Sequence, residues 1–206
     1  MMSTAFICHC HDWDNQGAQT KDGVTEWQIA CDVDRAISDT LKVGPGKIEP
    51  WRMERTLEER ISDVNMLWKL AGKVMAYRPM IAIETHCNWS TDKHRNGFFV
   101  MAHHGSEHGR LLARVISQKI SEIRRHGNNL GINLVDSNRQ WIGTEHEYEN
   151  HRQAFITQTL PPAVLVESCF LSNFKDAYWI TQIENRRKLG VAIGEGIEEY
   201  FKEIES

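Results

Sequence analysis

The chain has 206 residues, of which 41% are hydrophobic and 25% are charged, a composition that excludes a disordered or fibrous class. Its formal net charge is −4, so it lacks the basic excess that binding to a phosphate backbone requires, and nucleic acid is not an expected partner. No apolar run approaches the roughly 20 residues needed to cross a bilayer, and no membrane span is expected. We predict that residues 1–206 form a single domain.

The cysteines and the amino-terminal residues indicate in which compartment the protein is made. The five cysteines are an odd number without a C-x-x-C pair, which favours reduced thiols. The first residues, MMSTAFICHCHDWD, lack the positive segment and the long apolar segment of a signal peptide. We therefore expect synthesis in the cytoplasm without a signal peptide.

The first half of the chain alternates between strand and helix patterns. The apolar stretch TAFIC at 4–8 predicts a buried strand, after which polar residues place His9 and His11 in a loop. Apolar residues recur at helical spacing from Thr25 to about Leu41, with Thr25 as the expected N-cap and Glu26 opening the helix. IEPWRM is a candidate second strand, and residues 57–75 have an amphipathic helical pattern.

The second half continues this alternation. MIAIETH predicts a strand that ends at His86, residues 97–102 predict a strand, and residues 111–123 predict a helix, whereas residues 126–160 have no clear pattern. AVLVE predicts a buried strand that ends at Glu167, and residues 175–204 are broadly helical. This order favours an α/β fold, an open, mainly parallel twisted sheet with helices on both faces. Ligands of such sheets bind at the carboxyl ends of the strands.

Four polar residues stand at the ends of these elements. His11, Glu26 and His86 offer two imidazoles and one carboxylate, a zinc ligand set that leaves a fourth position open, as catalytic sites do. Each is weak evidence alone, because a lone loop histidine is most often a solvated bystander. Glu167 follows four apolar residues, where a charge is costly unless it is paired or functional. Burial would raise its pKa and suit it as a general base; a salt-bridged structural role is the alternative.

Three segments carry a family resemblance. Residues 11–18 with GVTE at 23–26, then ETHCN at 84–88, then PAVLVESCFLSN at 162–173 resemble, in order and spacing, the zinc-dependent N-acetylmuramoyl-L-alanine amidases of the type 3 family. The last segment is the most specific match. The resemblance implies that His11, Glu26 and His86 bind Zn²⁺, that Glu167 is the catalytic glutamate, and that the substrate is peptidoglycan or a muropeptide. The bond cleaved would join N-acetylmuramic acid to L-alanine.

The first histidine loop departs from the family pattern. Glycines usually flank this histidine, whereas Cys10 and Asp12 stand here. Because glycine permits close backbone approach and positive φ, we expect altered loop geometry. His9 competes as a ligand, although the spacing to Gly17-Ala18 favours His11.

Other departures and clusters leave alternatives open. Cys87 and Cys169 replace a family alanine and glycine and are expected to act as small hydrophobes, although a thiol near zinc could also bind it or be oxidised. His103, His104 and His108 form a second cluster, either a metal site without an H-E-x-x-H glutamate or a solvated helix start.

Three tryptophans lie in predicted loops. Trp13, Trp89 and Trp141 are candidates to stack on sugar rings or to pack on the surface.

We expect the protein to be a phage or prophage endolysin that acts on the cell wall after release. The alternatives are a cytosolic zinc amidohydrolase of small N-acyl amino acids and a non-catalytic peptidoglycan-binding module.

Overall fold

A computed structural model describes residues 3–44, 48–53, 56–74, 79–103, 105–126 and 153–206. Strands and helices largely alternate along these ranges, as the sequence predicts. The strands are β1 (Thr4–His9), β2 (Glu49–Met53), β3 (Met80–Asn88), β4 (Phe99–Ala102) and β5 (Ala163–Phe170). The helices are α1 (Glu26–Val43), α2 (Leu57–Val74), α3 (Glu107–His126), α4 (Ala154–Gln158), α5 (Phe174–Thr181) and α6 (Ile183–Glu205).

The strands form one mainly parallel sheet in the order β2-β1-β3-β5-β4. Neighbours from β2 to β5 are parallel, whereas β4 pairs with β5 in the antiparallel direction. The chain leaves β1 toward the β2 edge and later returns to β3, so the strand order reverses between β1 and β3. Such a reversal opens a crevice at the carboxyl ends of the two strands. The predicted fold class is confirmed.

Both faces of the sheet are covered by helices. Along β1, Ala5 and Ile7 join a core cluster with α1, α3, α5 and α6, whereas Phe6 and Cys8 join a second cluster with α2 and α4. Because both faces of the central strands are buried, their sequences are continuous apolar runs without polar alternation.

Helix ends agree with the sequence where a capping signal exists. Thr25 is the N-cap of α1: its hydroxyl accepts a hydrogen bond from the Gln28 N–H at 3.3 Å, and Gln28 Oε1 accepts one from the Thr25 N–H at 3.0 Å. This reciprocal pair fixes Glu26 in the first helical turn.

Two helix predictions differ from the structure. The helix predicted at 111–123 begins earlier, at Glu107. The segment predicted as helical from 175 to 204 is broken at Gln182, whose ψ of 118° is extended. No proline or glycine marks that break, so local sequence offers no signal for it. Of the stretch 126–160, residues 127–152 lie outside the described residues.

No helix within the described ranges combines the length and the apolarity needed to span a membrane. The single-domain organisation stays a prediction.

Helix α6 packs against α1 through a glycine. A Cβ atom at Gly190 would lie 2.5 Å from both the Ala36 Cβ and the Val33 carbonyl oxygen, whereas a Cβ at Gly72 in α2 would meet nothing within 4 Å. The backbones of α1 and α6 therefore approach more closely than an alanine would allow.

A glycine-to-alanine substitution should therefore change the free energy of unfolding in opposite directions at these two positions. Gly190→Ala should lower the free energy of unfolding by about 1 to 3 kcal/mol, because a well-packed interface must separate. The matched variant Gly72→Ala should raise it by up to about 1 kcal/mol, because alanine favours the helix. Urea unfolding of both variants measures the difference, and equal effects would show that the α1–α6 contact tolerates a methyl group.

Candidate metal and catalytic site

The buried carboxylate of Glu26 joins three parts of the chain. Oε2 lies 3.1 Å from His11 Nε2 and accepts a hydrogen bond from the Ala18 N–H at 3.2 Å. Oε1 lies 3.1 Å from His86 Nδ1 and accepts a hydrogen bond from the Cys87 N–H at 3.0 Å. These contacts connect the first turn of α1 to the loop after β1 and to the end of β3.

The surroundings of Glu26 keep it ionised. Burial acts to raise the pKa of this carboxyl group, but the hydrogen bonds from His11 and His86 outweigh burial and hold the pKa well below its usual range. A carboxylate that stays charged in a buried position is suited to binding a cation.

His86 is oriented by a second carboxylate. Its Nε2 lies 3.1 Å from Glu84 Oε2, and Glu84 in turn forms a buried ion pair with Arg60 of α2. Burial acts to lower the pKa of His86, but its hydrogen bond to Glu26 and its close contact with the Glu84 carboxylate raise the pKa to about 10. A carboxylate behind an imidazole is the usual way in which proteins orient a metal-binding histidine.

Sequence reasoning did not single out Glu84 and Arg60. A signal existed, because Glu84 is a charged residue inside the apolar run MIAIETH and must have a partner when it is buried. The partner lies on α2, 24 positions away in sequence, and could not be identified without the fold.

The loop after β1 adopts a turn at His11. The φ angle of His11 is 57°, in the left-handed region, and it is the only such value for a non-glycine residue in the described ranges. Gly17 closes the loop from the other side: a Cβ there would lie 2.5 Å from His11 Nε2 and 2.6 Å from Glu26 Oε2. The positive φ that the family pattern suggested for a flanking glycine therefore occurs at the histidine itself.

These residues form a potential metal site. Ligand atoms from Cys10, His11, Glu26 and His86 all lie within 4.8 Å of one another, and they are the one such group among the described residues. Two atoms that share a tetrahedral zinc ion at bond lengths of about 2.0 to 2.3 Å lie about 3.3 to 3.8 Å apart. Nitrogen, oxygen and sulfur donors are the ligand types that zinc prefers, and an ion would draw the more distant of these atoms inward by about 1 Å.

His9 takes no part in this group. It is fully buried, its Nδ1 bonds to Asp34 Oδ2 of α1, and its Nε2 lies 3.1 Å from an Arg52 guanidinium nitrogen. Thr85 donates a hydrogen bond of 2.7 Å to the other oxygen of Asp34. The competing histidine therefore belongs to a buried polar network between α1 and strands β1 to β3.

Glu167 lies on β5 directly beside His86 of β3 in the strand register. Its Oε2 is buried and accepts no hydrogen bond from the described residues. Burial, followed by the charges of Glu26 and Glu84, raises the pKa of Glu167 to about 7, although His86 acts to lower it. A carboxyl group with such a pKa can exchange a proton near neutral pH.

Comparison with known proteins identifies the family of the chain. The family model described as N-acetylmuramoyl-L-alanine amidase matches residues 6–199. The chain belongs to this family. The membership predicted from the sequence is thus confirmed, and with it the prediction that the chain is an enzyme of the amidase class.

Solved amidase structures share the fold. An N-acetylmuramoyl-L-alanine amidase from Clostridium difficile 630 has a TM-score of 0.74 and 15% identity, with 97% of each chain covered. The catalytic domain of CwlV from Bacillus (Paenibacillus) polymyxa has a TM-score of 0.73 and 19% identity, over 97% of this chain and 98% of that one. The CwlD amidase from Clostridioides difficile, solved with the GerS lipoprotein, has a TM-score of 0.73 and 16% identity, over 97% of this chain and 98% of that one. No curated protein sequence matches the chain.

Two further cysteines of the amidase flank the site. Cys87 and Cys169 are buried with their sulfur atoms 3.8 Å apart, and both contact the core cluster beneath α1, α3 and α6. The register shifts after His86 and Glu167, so that Asn88 pairs with Phe170. This bulge leaves two residues of β5 opposite Cys87.

The remaining predicted clusters fall partly outside the described residues. His104 and Trp141 lie outside them. His103 accepts a hydrogen bond from the Gly105 N–H at 3.2 Å, and the His108 ring packs edge-on against Tyr200. Neither His103 nor His108 joins a metal-binding group within the described part of the chain.

Two loop tryptophans of the amidase are exposed. Trp13, in the loop after β1, is 70% exposed and contacts Trp27 edge-on. Trp89, directly after β3, is 52% exposed, with the Lys93 ammonium 4.3 Å from its ring centre. Both follow strands that end at the site.

The Gly17 contact predicts a specific effect on metal binding. Gly17→Ala and Gly23→Ala both place alanine at positive φ, 70° and 80°, which should cost about 1 to 2 kcal/mol of stability each. Only the first methyl group would meet His11 and Glu26, since nothing lies within 4 Å of a Cβ at Gly23. Zinc titration calorimetry should show at least about tenfold weaker binding for Gly17→Ala alone. Equal zinc affinity in the two variants would contradict the arrangement.

Proposed function

We propose that this amidase uses zinc to hydrolyse the amide bond between N-acetylmuramic acid and L-alanine in peptidoglycan. The observation that carries the proposal is that His11, Glu26 and His86, which are distant in sequence, have ligand atoms within 4.8 Å of one another. Glu167 of β5 is the register partner of His86 on the neighbouring strand β3. Family membership supports the choice of bond.

The side chains of the site have distinct roles in this proposal. His11, Glu26 and His86 would hold zinc, which supplies a Lewis acid for the amide carbonyl and lowers the pKa of water. Glu84 orients His86, and His86 together with Arg60 keeps Glu84 ionised. The centre is thus fixed by buried groups before the substrate arrives.

Glu167 is the proton carrier in this proposal. Water attacks the lactyl carbonyl carbon while Glu167 takes a proton from it, and the carboxyl group then donates that proton to the leaving nitrogen as the C–N bond breaks. The second proton of the water then passes from the lactyl carboxyl group to the amine, so that the products are a lactyl carboxylate and the ammonium form of the L-alanine amine. The buried Oε2 without a hydrogen-bond partner in the described residues is the atom that suits this exchange.

The exposed rings of Trp13 and Trp89 are suited to contact the glycan, since aromatic faces stack on the apolar faces of sugars. We further propose that the enzyme is an endolysin of phage or prophage origin, made in the cytoplasm and active on the wall after release.

Mass spectrometry of digested sacculi tests the bond. Zinc-loaded protein should release stem peptides with a new L-alanine amino terminus and leave glycan strands with free muramoyl carboxyl groups. The chelator-treated protein is the control and should release neither. Turnover of small N-acyl amino acids without either wall product would instead identify a small-molecule amidohydrolase, and binding without turnover would identify a non-catalytic module.

Two variants separate the proton carrier from the metal ligands. Glu167→Gln keeps the shape of the side chain but cannot carry a proton, so kcat should fall by about 10²- to 10⁴-fold with the zinc content unchanged. His86→Ala should instead lose the metal. Full activity of Glu167→Gln in the sacculus assay would exclude this glutamate as the proton carrier.

A further inference from the structure

Cys10 differs from the other buried cysteines near the sheet. Cys8 packs in the apolar cluster beneath α2 and α4, and Cys87 and Cys169 pack in the cluster on the opposite face. Cys10 is equally buried, with 0% exposure, yet it belongs to neither apolar cluster. A thiol that served only as a small hydrophobe would be expected to pack in one of them.

The turn at His11 brings this thiol to the metal site. In an extended strand, consecutive side chains point to opposite faces, so Cys10 and His11 could not both face one point. Strand β1 ends at His9, and the left-handed backbone of His11, φ 57°, interrupts the alternation. The Cys10 sulfur consequently lies within 4.8 Å of the ligand atoms of His11, Glu26 and His86.

The Cys10 sulfur has no other polar function in the described part of the chain. No hydrogen bond to its thiol occurs there, although its neighbours include the carboxylate groups of Glu26 and Glu84. A buried polar atom that faces a group of metal-binding side chains and lacks a partner is placed as a ligand would be.

We propose that Cys10 is a fourth protein ligand of the metal, so that the centre of this chain is Cys10–His11–Glu26–His86 and the water or substrate carbonyl of the proposed reaction would bind as a fifth ligand, a coordination number that catalytic zinc can reach. The inference rests on the zinc site of the proposed function. On binding, the S–H bond breaks, its proton passes to bulk water, and the thiolate sulfur bonds to the ion. Thiolate and Glu26 carboxylate together then balance the two positive charges of the ion.

A thiolate ligand changes which ions the site prefers. Soft sulfur donors favour zinc and its heavier relative cadmium over magnesium, calcium and manganese, which bind oxygen ligands. In the family pattern this position is usually a glycine, which offers no donor. The cysteine thus adds a donor atom at the end of β1.

Cobalt substitution tests the ligand directly. Co²⁺ added to the metal-free full chain should give visible d–d bands, together with the near-ultraviolet charge-transfer band that a cobalt–thiolate bond produces. Cys10→Ala should lose the charge-transfer band and keep the visible bands. Cys8→Ala, which removes a buried thiol from the same stretch of chain, is the matched control and should keep both.

Zinc affinity gives a second measure. Competition with a chromophoric chelator should show at least about tenfold weaker binding for Cys10→Ala, because even loss of an outer-shell partner costs roughly 10- to 100-fold. Cys8→Ala should bind as the unmodified chain does. Equal affinity of Cys10→Ala and the unmodified chain would overturn the proposal.

The unmodified protein provides a test that does not depend on the folding of a variant. X-ray absorption of the zinc-loaded chain should contain a sulfur shell at about 2.3 Å beside the nitrogen and oxygen shell at about 2.0 to 2.1 Å. A spectrum with nitrogen and oxygen alone would overturn the Cys10 proposal and leave the zinc site of the proposed function intact. Failure of the chain to bind either cobalt or zinc would overturn both.

Discussion

The site depends on the buried carboxylate of Glu26. Each oxygen of this group contacts one imidazole and accepts one backbone N–H, so a single side chain positions the loop after β1 relative to β3. A charge buried in this way is tolerated only when its hydrogen-bonding capacity is filled. Since Glu26 is held by the first turn of α1, the capping of that helix by Thr25 also determines where the two histidines meet.

The topology explains why these groups meet at this edge. The strand order reverses between β1 and β3, and side chains that follow the carboxyl ends of both strands enter the same crevice. Helix α2 then adds Arg60 beneath the crevice, where its ion pair with Glu84 offsets the burial of a second carboxylate. The site is therefore assembled by crossover connections, and no short segment of the chain contains it.

The sequence predicted the features that local pattern encodes. The strand at MIAIETH, the Thr25 cap and the placement of His11, Glu26 and His86 at element ends follow from apolar runs and capping chemistry. The buried pairs Arg60–Glu84 and His9–Asp34 could not be predicted, because each joins elements that meet only in the folded chain. The left-handed turn at His11 was missed for a similar reason: a histidine adopts it only when its surroundings compensate for the strain.

Three glutamates near one another have different surroundings, and this difference supports the roles proposed for Glu26 and Glu167. Glu26 is stabilised by two imidazoles and two N–H groups, and Glu84 by His86 and Arg60, so the pKa of each is lowered. Glu167 is buried beside both without a comparable partner, and its pKa is raised to about 7. Burial and the repulsion from the two ionised carboxylates together raise the pKa of Glu167, so the arrangement that holds the proposed ligands also favours a proton on Glu167. Carboxyl groups whose pKa values are driven apart within one site are suited to different roles, here the proposed metal ligand and the proposed proton carrier.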